Sequence, residues 1–340
     1  MKSESKRCAH DGCTNGVLSH AETCWEHTRD KGAYSARIIS IIEKGESLAG
    51  ENLERAVLKN LSITKADFSG AHLSQADFSG SHLFDVNFEN AHLVGTNLSN
   101  SDATHSNFKG ADLTKADLTD ARLWSVILEG TTLSEASLCR ADLWNANLHN
   151  VKIWHANFDN AKSLARRNFA RDPSLIWTSK INEEGPRSAE EAYRDLKRYF
   201  LANGMYDDAG WASFKEKTIE RFIMRKNKDL HYIPSLAMGI LCGYGEKPSR
   251  IVISAFFAIL FYAFMYFALN AVESTRSASY AMRWFDYIYY STITFTTVGY
   301  GDFVPKSYGL FRLFAASEAF IGVYLTGLFI FTLSRRYSAR

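Results

Sequence analysis

The chain has almost no net charge: 39 Lys and Arg stand against 37 Asp and Glu in 340 residues, a formal balance of +2. So even a balance gives no basic surface for nucleic acid, and no nucleic-acid partner is expected. Cysteine is scarce, five in all, and three of the five crowd before residue 25. That clustering points to metal binding more than to a disulfide framework. The opening Met1-Lys2-Ser3-Glu4 runs into a charged segment with no apolar core region, so no secretory signal is read there. The N-terminus is therefore expected in the cytoplasm. No set of side chains has the pattern of nucleophilic or acid–base catalysis, and the chain is not read as an enzyme. Average hydropathy looks soluble, but it mixes a polar N-terminal two thirds with a very apolar C-terminal third.

Residues 1–32 hold Cys8, Cys13, Cys24 and His27, spaced Cys-x4-Cys and Cys-x2-His with ten residues between the pairs. Zinc takes four tetrahedral sulfur and nitrogen ligands, commonly as two close pairs separated by a loop. A segment this short has almost no core, so a structural Zn2+ would explain how it folds. His10 and His20 are alternative ligands, and Gly12 and Gly16 supply turns near the first pair. Residues 33–50 read as a linker helix, with Ile38, Ile39, Ile41 and Ile42 in its apolar run.

Residues 51–162 repeat every five residues. From Leu53 to Phe158 in steps of five there are 22 positions, and 21 hold Leu, Ile or Phe; Ala103 is the exception. Two residues before the centre a small residue recurs, as at Ala66, Ala71, Ala111 and Ala146, and Asp or Asn often stands between. A period of five fits neither a helix nor a flat strand. It fits a square coil with one pentapeptide per side, in which residues twenty apart stack. This resembles the pentapeptide-repeat family, which implies a right-handed quadrilateral β-helix. Trp124 and Trp144, and likewise His72 and His92, are then expected one above the other, with Trp154 on the opposite face. The aromatic ladder is a candidate docking surface for a cytoplasmic regulator. Interspersed Lys65, Lys115, Arg122 and Arg140 argue against an acidic mimic of DNA.

Residues 163–249 read as a cytoplasmic helical connector. Ser188-Ala189-Glu190-Glu191 has a capping-box pattern, and Tyr193, Leu196 and Phe200 recur on one face. A second helix follows Asp207 and Asp208, with Trp211, Phe214, Phe222 and Ile223 on its apolar side. This αα-hairpin could dock on the β-helix, on its counterpart in another subunit, or on a regulator. The basic run Arg221, Arg225, Lys226 and Lys228 suits an anionic membrane surface.

In residues 250–340, Arg250 and Glu273 bracket 22 uncharged residues, enough to span a bilayer as a helix. A second run, from Arg312 to Arg335, is interrupted only by Glu318. Between them, Arg283 to Thr296 is too short to span. It is followed by Thr296-Thr297-Val298-Gly299-Tyr300-Gly301-Asp302. This third of the chain resembles the bacterial two-transmembrane potassium channels. The resemblance implies an all-α pore domain with a re-entrant pore helix and a selectivity filter at Thr297, Val298, Gly299, Tyr300 and Gly301. Four copies of such a loop replace the water shell of K+ with carbonyl oxygens, so a homotetramer in a lipid bilayer is implied. Gly299 and Gly301 allow the unusual backbone that this requires. Thr296 and Asp302 flank the filter. Several bacterial relatives carry an acidic residue four positions before the Thr numbered 297 here; this chain has Ile293, which leaves Asp302 without that partner. Glu318 is expected behind the pore helix on a polar partner, or second along the cavity. Gly322 and Gly327 fit close packing or a hinge. Only two spans exist and neither is Arg-rich, so steep voltage gating is not expected.

Lys247, Arg250, Arg335, Arg336 and Arg340 cluster at the two inner ends, which points both termini to the cytoplasm of a multi-pass cell-membrane protein. The whole reads as a multidomain tetrameric K+ channel. Alternatives are a membrane-anchored scaffold with a silent pore and a weakly selective cation channel, the latter disfavoured by Tyr300.

Overall fold

The computed structural model describes residues 8–11, 13, 15–169, 185–275, 280–307 and 309–338, the last four by their backbone alone. Gly12 and Arg340, both used in the sequence reading, lie outside the described residues. Internal contacts divide the chain into two units, Met1–Ile219 and Glu220–Arg340.

In the first unit, helix α1 (Lys31–Glu43) is followed by the coil. Parallel bridges join residues twenty apart, from Asn52↔His72 to Asp142↔Lys162. Strands β1 (Ser62–Thr64) and β2 (His82–Phe84) pair in the same register. The period of five is thus a β-helix with four pentapeptides per coil. Its backbone explains the composition. The residue two after each apolar centre is left-handed, as at Arg55 (φ 60°), Asn60 (57°), Gly70 (64°), Asn90 (57°) and Gly110 (67°). Gly and Asn reach that region at little cost, which accounts for their recurrence there. Where Asp or Asn stands just before a centre, its side chain closes the corner. Asp77 Oδ1 accepts from the Ser79 N–H at 3.0 Å, and Asn97 Oδ1 from Ser99 at 3.0 Å. Where a hydroxyl replaces the small Ala, it bonds within the core: Ser81 donates to the Leu58 carbonyl at 2.8 Å and Thr131 to Phe108 at 2.7 Å. Phe68, Phe88 and Phe108 stack down the interior at 5.3 and 4.7 Å between ring centres.

Both ends of the coil are covered. At the first, Tyr34 and Ile38 of α1 are buried in one core with Leu48 and Leu53. At the last stand α2 (Arg166–Phe169), α3 (Pro186–Ala202) and the start of α4 (Tyr206–Lys226). Asn168 imitates a further coil. Its side-chain amide donates to the Leu143 and Ala146 carbonyls at 3.2 and 2.9 Å, and its backbone carbonyl accepts from Leu148 N–H at 2.7 Å. Leu196 and Phe200 of α3 and Ala212 of α4 complete the same core. Tyr199 donates to the Ala161 carbonyl and Trp154 to Glu191, each at 2.8 Å. Of the three expected docking sites for the hairpin, it takes the coil end. A coil end is an open edge of unpaired N–H and C=O groups, so this docking removes an aggregation hazard. Two details differ from expectation. Helix α3 starts at Pro186, ahead of the Ser188 pattern, because proline suits the first helical position. Phe222 is exposed rather than packed.

The stacked rings of His72 and His92 lie 4.6 Å apart. Partial burial, then the charge of His92, hold His72 below its ordinary pKa, against a smaller upward pull from Glu54. A lowered folded-state pKa means the unfolded chain binds more protons. The stability is therefore full above the unfolded value of about 6.5 and is lost as pH falls through the folded one. Thermal unfolding of the coil is expected at lower temperature at about pH 5 than at about pH 7.5, with a smaller difference in His72→Gln. Equal pH dependence in the two proteins would count against it.

In the second unit a helix absent from the sequence reading appears, α5 (Tyr232–Leu241). Pro234 stands in its first turn, where a missing N–H does no harm. Then come α6 (Pro248–Leu269), β3 (Val272–Ser274), α7 (Trp284–Phe295), β4 (Phe303–Pro305) and α8 (Phe311–Ser338). Among the described residues two helices are long and apolar enough to cross a membrane: α6, and α8 over Phe311–Ser334. Both leave aromatic rings bare in the single chain, among them Phe256, Phe257, Phe264 and Phe320. The short α7 packs against both, and β3 pairs antiparallel with β4.

Candidate functional site

Helix α7 opens with Asp286 accepting from the Arg283 N–H at 2.7 Å, which fixes its N-terminus. It ends at Phe295, and the backbone then leaves helical space. Thr297 (φ 55°), Gly299 (49°) and Gly301 (76°) take left-handed conformations in alternation. For the β-branched Thr297 this costs of order 1–3 kcal/mol, strain of the kind held at functional sites. The loop stays attached to the helix because Val298 and Gly299 donate to the Ile293 carbonyl at 2.9 and 3.2 Å. The Thr297 hydroxyl donates to the Thr296 carbonyl at 2.7 Å, and that of Thr296 to Thr292 at 2.8 Å. At the far end the Gly301 carbonyl accepts from the Thr275 hydroxyl at 2.9 Å, and the Asp302 carbonyl from Thr275 N–H at 3.0 Å. The pairing of β3 with β4 thus anchors that end. Val298 and Tyr300 are 52% and 73% exposed, so the single chain leaves this strained loop uncovered. Asp302 Oδ1 is buried with no hydrogen-bond partner among the described residues, and Ile293 offers none.

Behind α7 lies Glu318, fully buried. It accepts from Tyr266 of α6 at 2.7 Å and makes a short contact with Ser291 of α7. Ser291 also lies 2.9 Å from the Ile259 carbonyl, and Tyr262 lies 2.9 Å from Ser317. One carboxyl therefore ties all three helices together. Gly322 stands four residues on. A Cβ there would come 1.9 Å from the Phe295 carbonyl oxygen and 2.8 Å from its carbon. Gly327 has open space around it. Of the two glycines, Gly322 permits α8 to cross directly on the end of α7; helix α8 runs unbroken through both.

In the first unit Cys8, Cys13, Cys24 and His27 converge, with ligand atoms all within 4.8 Å of one another. Cys24 follows a turn and precedes a short 3-10 segment, Trp25–His27, which brings the His ring back to the thiols. Burial pushes the Cys24 thiol up, but the His27 backbone N–H and the Cys13 and Cys8 thiols beside it bring it down to about 7. His10 stacks on His27 at 3.9 Å and is not one of the four; His20 only lends its carbonyl to Arg37.

Residues 249–339 match a family model described as an ion channel, and residues 47–162 match pentapeptide repeats in eight copies. Among similar solved structures is HetL from the cyanobacterium Nostoc sp. strain PCC 7120, a pentapeptide repeat protein involved in heterocyst differentiation regulation. It is 21% identical, over 35% of this chain and 72% of that one, with a TM-score of 0.21. Another is the pentapeptide repeat protein Rfr23 from the cyanobacterium Cyanothece 51142, 23% identical over 40% of this chain and 99% of that one, with a TM-score of 0.21. The comparison with curated proteins finds no match. The two apolar helices and the ion-channel match make this a membrane protein.

Proposed function

We propose that this chain, which joins pentapeptide repeats to an ion-channel domain, is one subunit of a homotetrameric potassium channel of the cell membrane. Thr297, Val298, Gly299, Tyr300 and Gly301 form its filter, and conduction is passive. The observation that carries the reading is the alternating left-handed backbone of Thr297, Gly299 and Gly301 in an uncovered loop at the C-terminal end of α7. Such a backbone, repeated about an axis, offers rings of carbonyl oxygens to a dehydrated cation. Left-handed residues alternating over five positions do not match the type I′ turn, whose two left-handed residues are adjacent. The C-terminal end of α7 carries partial negative charge, which favours cations beside it. Irregular backbone at membrane depth is tolerated where it lines a wet path, so α7 is read as a re-entrant pore helix.

The remaining assignments follow the same reading. Residues 1–32 form the knob, 33–50 the linker, 51–162 a right-handed quadrilateral β-helix, 163–249 the connector and 250–340 the pore. Both termini face the cytoplasm, where the β-helix is placed to bias the gate or to receive a regulator.

Potassium flux and bi-ionic reversal potentials of purified protein in liposomes test the reading. A preference for K+ over Na+ of at least about tenfold, worth about 1.4 kcal/mol, is expected. Flux without preference would indicate a weakly selective cation channel. Absence of flux from a well-formed tetramer would favour a membrane-anchored scaffold.

A further inference from the structure

We infer that Cys8, Cys13, Cys24 and His27 bind one Zn2+ per chain, and that the loaded knob is the lid of the first coil of the β-helix. This stands independently of the channel reading.

Three of the six ligand–ligand distances match a tetrahedral site, and all lie within 4.8 Å. Zinc–sulfur bonds of about 2.3 Å and zinc–nitrogen bonds of about 2.0 Å set S–S edges of about 3.8 Å and S–N edges of about 3.5 Å. Here Cys13 Sγ and Cys24 Sγ are 3.7 Å apart, and His27 Nδ1 lies 3.4 and 3.3 Å from Cys8 Sγ and Cys24 Sγ. Cys8 and Cys24 are buried, and the sulfurs receive weak donors: the Cys24 N–H on Cys8 Sγ at 3.3 Å and the Asn15 amide on Cys24 Sγ at 3.9 Å. Such contacts orient ligands and stabilise thiolates. Three soft thiolates with one imidazole suit zinc, and all four positions are filled by protein, so the site is structural.

The loop between the two ligand pairs is the part that meets the coil. The Ser19 N–H donates to the Asn52 carbonyl at 2.8 Å, and its hydroxyl accepts from the Asn52 N–H at 2.8 Å. The Asn52 side chain donates to the Val17 carbonyl at 2.9 Å. Leu18 between them is 1% exposed and joins the coil core with Leu53. Asn52 is the first residue bridged into the coil, so these bonds occupy an edge that would otherwise be open. The loop is short, and Leu18 is the one of its described residues buried in the core cluster. The ion closes its two ends and so holds Val17 to Ser19 in place.

The test uses the full-length protein. Elemental analysis is expected to find about one zinc per chain. Removal with a chelator is expected to speed amide exchange at Leu53, Arg55 and Leu58 at least about tenfold. Exchange at Leu128 and Leu138, near the other end, is expected to stay unchanged, and added Zn2+ is expected to restore the first coil. Cys13→Ser should lose the metal and show the fast first-coil exchange, whereas His27→Cys should keep both. Protein exposed to Zn2+ that holds none, or holds it equally in Cys13→Ser, would overturn the site. A bound ion whose removal leaves first-coil exchange untouched would overturn the lid.

Discussion

Gly322→Ala is expected to abolish potassium flux and to lower the yield of assembled protein at least about tenfold. Two effects oppose each other at this position. Alanine in place of glycine gains up to about 1 kcal/mol of helix propensity. Against that, its methyl would stand 1.9 Å from the Phe295 carbonyl oxygen, a backbone atom that cannot rotate away. Overpacking of ordinary side chains already costs about 1–3 kcal/mol, and backbone yields less. The clash wins, and relief of it means moving α8 away from the end of α7, two residues before Thr297. Gly327→Ala is the control, since nothing lies within 4 Å of its Cβ position in the chain. It should assemble as well as the parent. Size-exclusion yield and liposome flux for both variants decide the matter. A Gly322→Ala protein that assembles and conducts normally would show that the helix crossing is not as close as described.

Glu318→Ala is expected to destabilise the three-helix packing by several kcal/mol, whereas Glu318→Gln should be near neutral. The difference comes from counting hydrogens. Ser291 has a single hydroxyl hydrogen and two oxygens beside it, that of Ile259 and one from Glu318. If Ser291 donates to Ile259, the bond to position 318 needs a hydrogen from the other side. Glutamine supplies one from its NH2 and still accepts from Tyr266 with its oxygen. Alanine leaves the Tyr266 hydroxyl unpaired in a buried site, at about 1–3 kcal/mol, and adds a cavity. Thermal unfolding of the detergent-solubilised protein, followed by its loss of flux, reports both. Equal unfolding temperatures for Ala and Gln would refute the network.

The coil was legible because one chemical rule repeats: Leu, Ile or Phe every fifth residue can face inward in only one kind of winding. The left-handed corners were written in the sequence only in part, as Gly or Asn two after some centres and as residues such as Arg55, Lys65 and Gln75 after others, and their reason lies in backbone sterics that hydrophobic pattern does not express. The lid formed by Val17 to Ser19 was not legible. Its ligands announce a metal by spacing, while its contact with Asn52 depends on tertiary placement. Helix α5 was hidden by Pro234 and Gly239, both poor helix formers, in a segment that otherwise has no clear period. In the loop after α7, Gly299 and Gly301 stand out by motif. The closeness of Gly322 to Phe295 depends on how two helices cross, which no single-helix pattern carries.

The covered ends of the β-helix restrict what can join it. Fibril-like growth, in which one stack extends the next, requires a bare rung at the top or the bottom. With Asn168 and the α3–α4 hairpin at one end and the Cys-rich loop at the other, neither rung is bare. Any visitor must approach the flanks, where Trp124 and Trp144 stand edge to face on the outside wall. The stack can therefore crowd beside its neighbours without fusing to them.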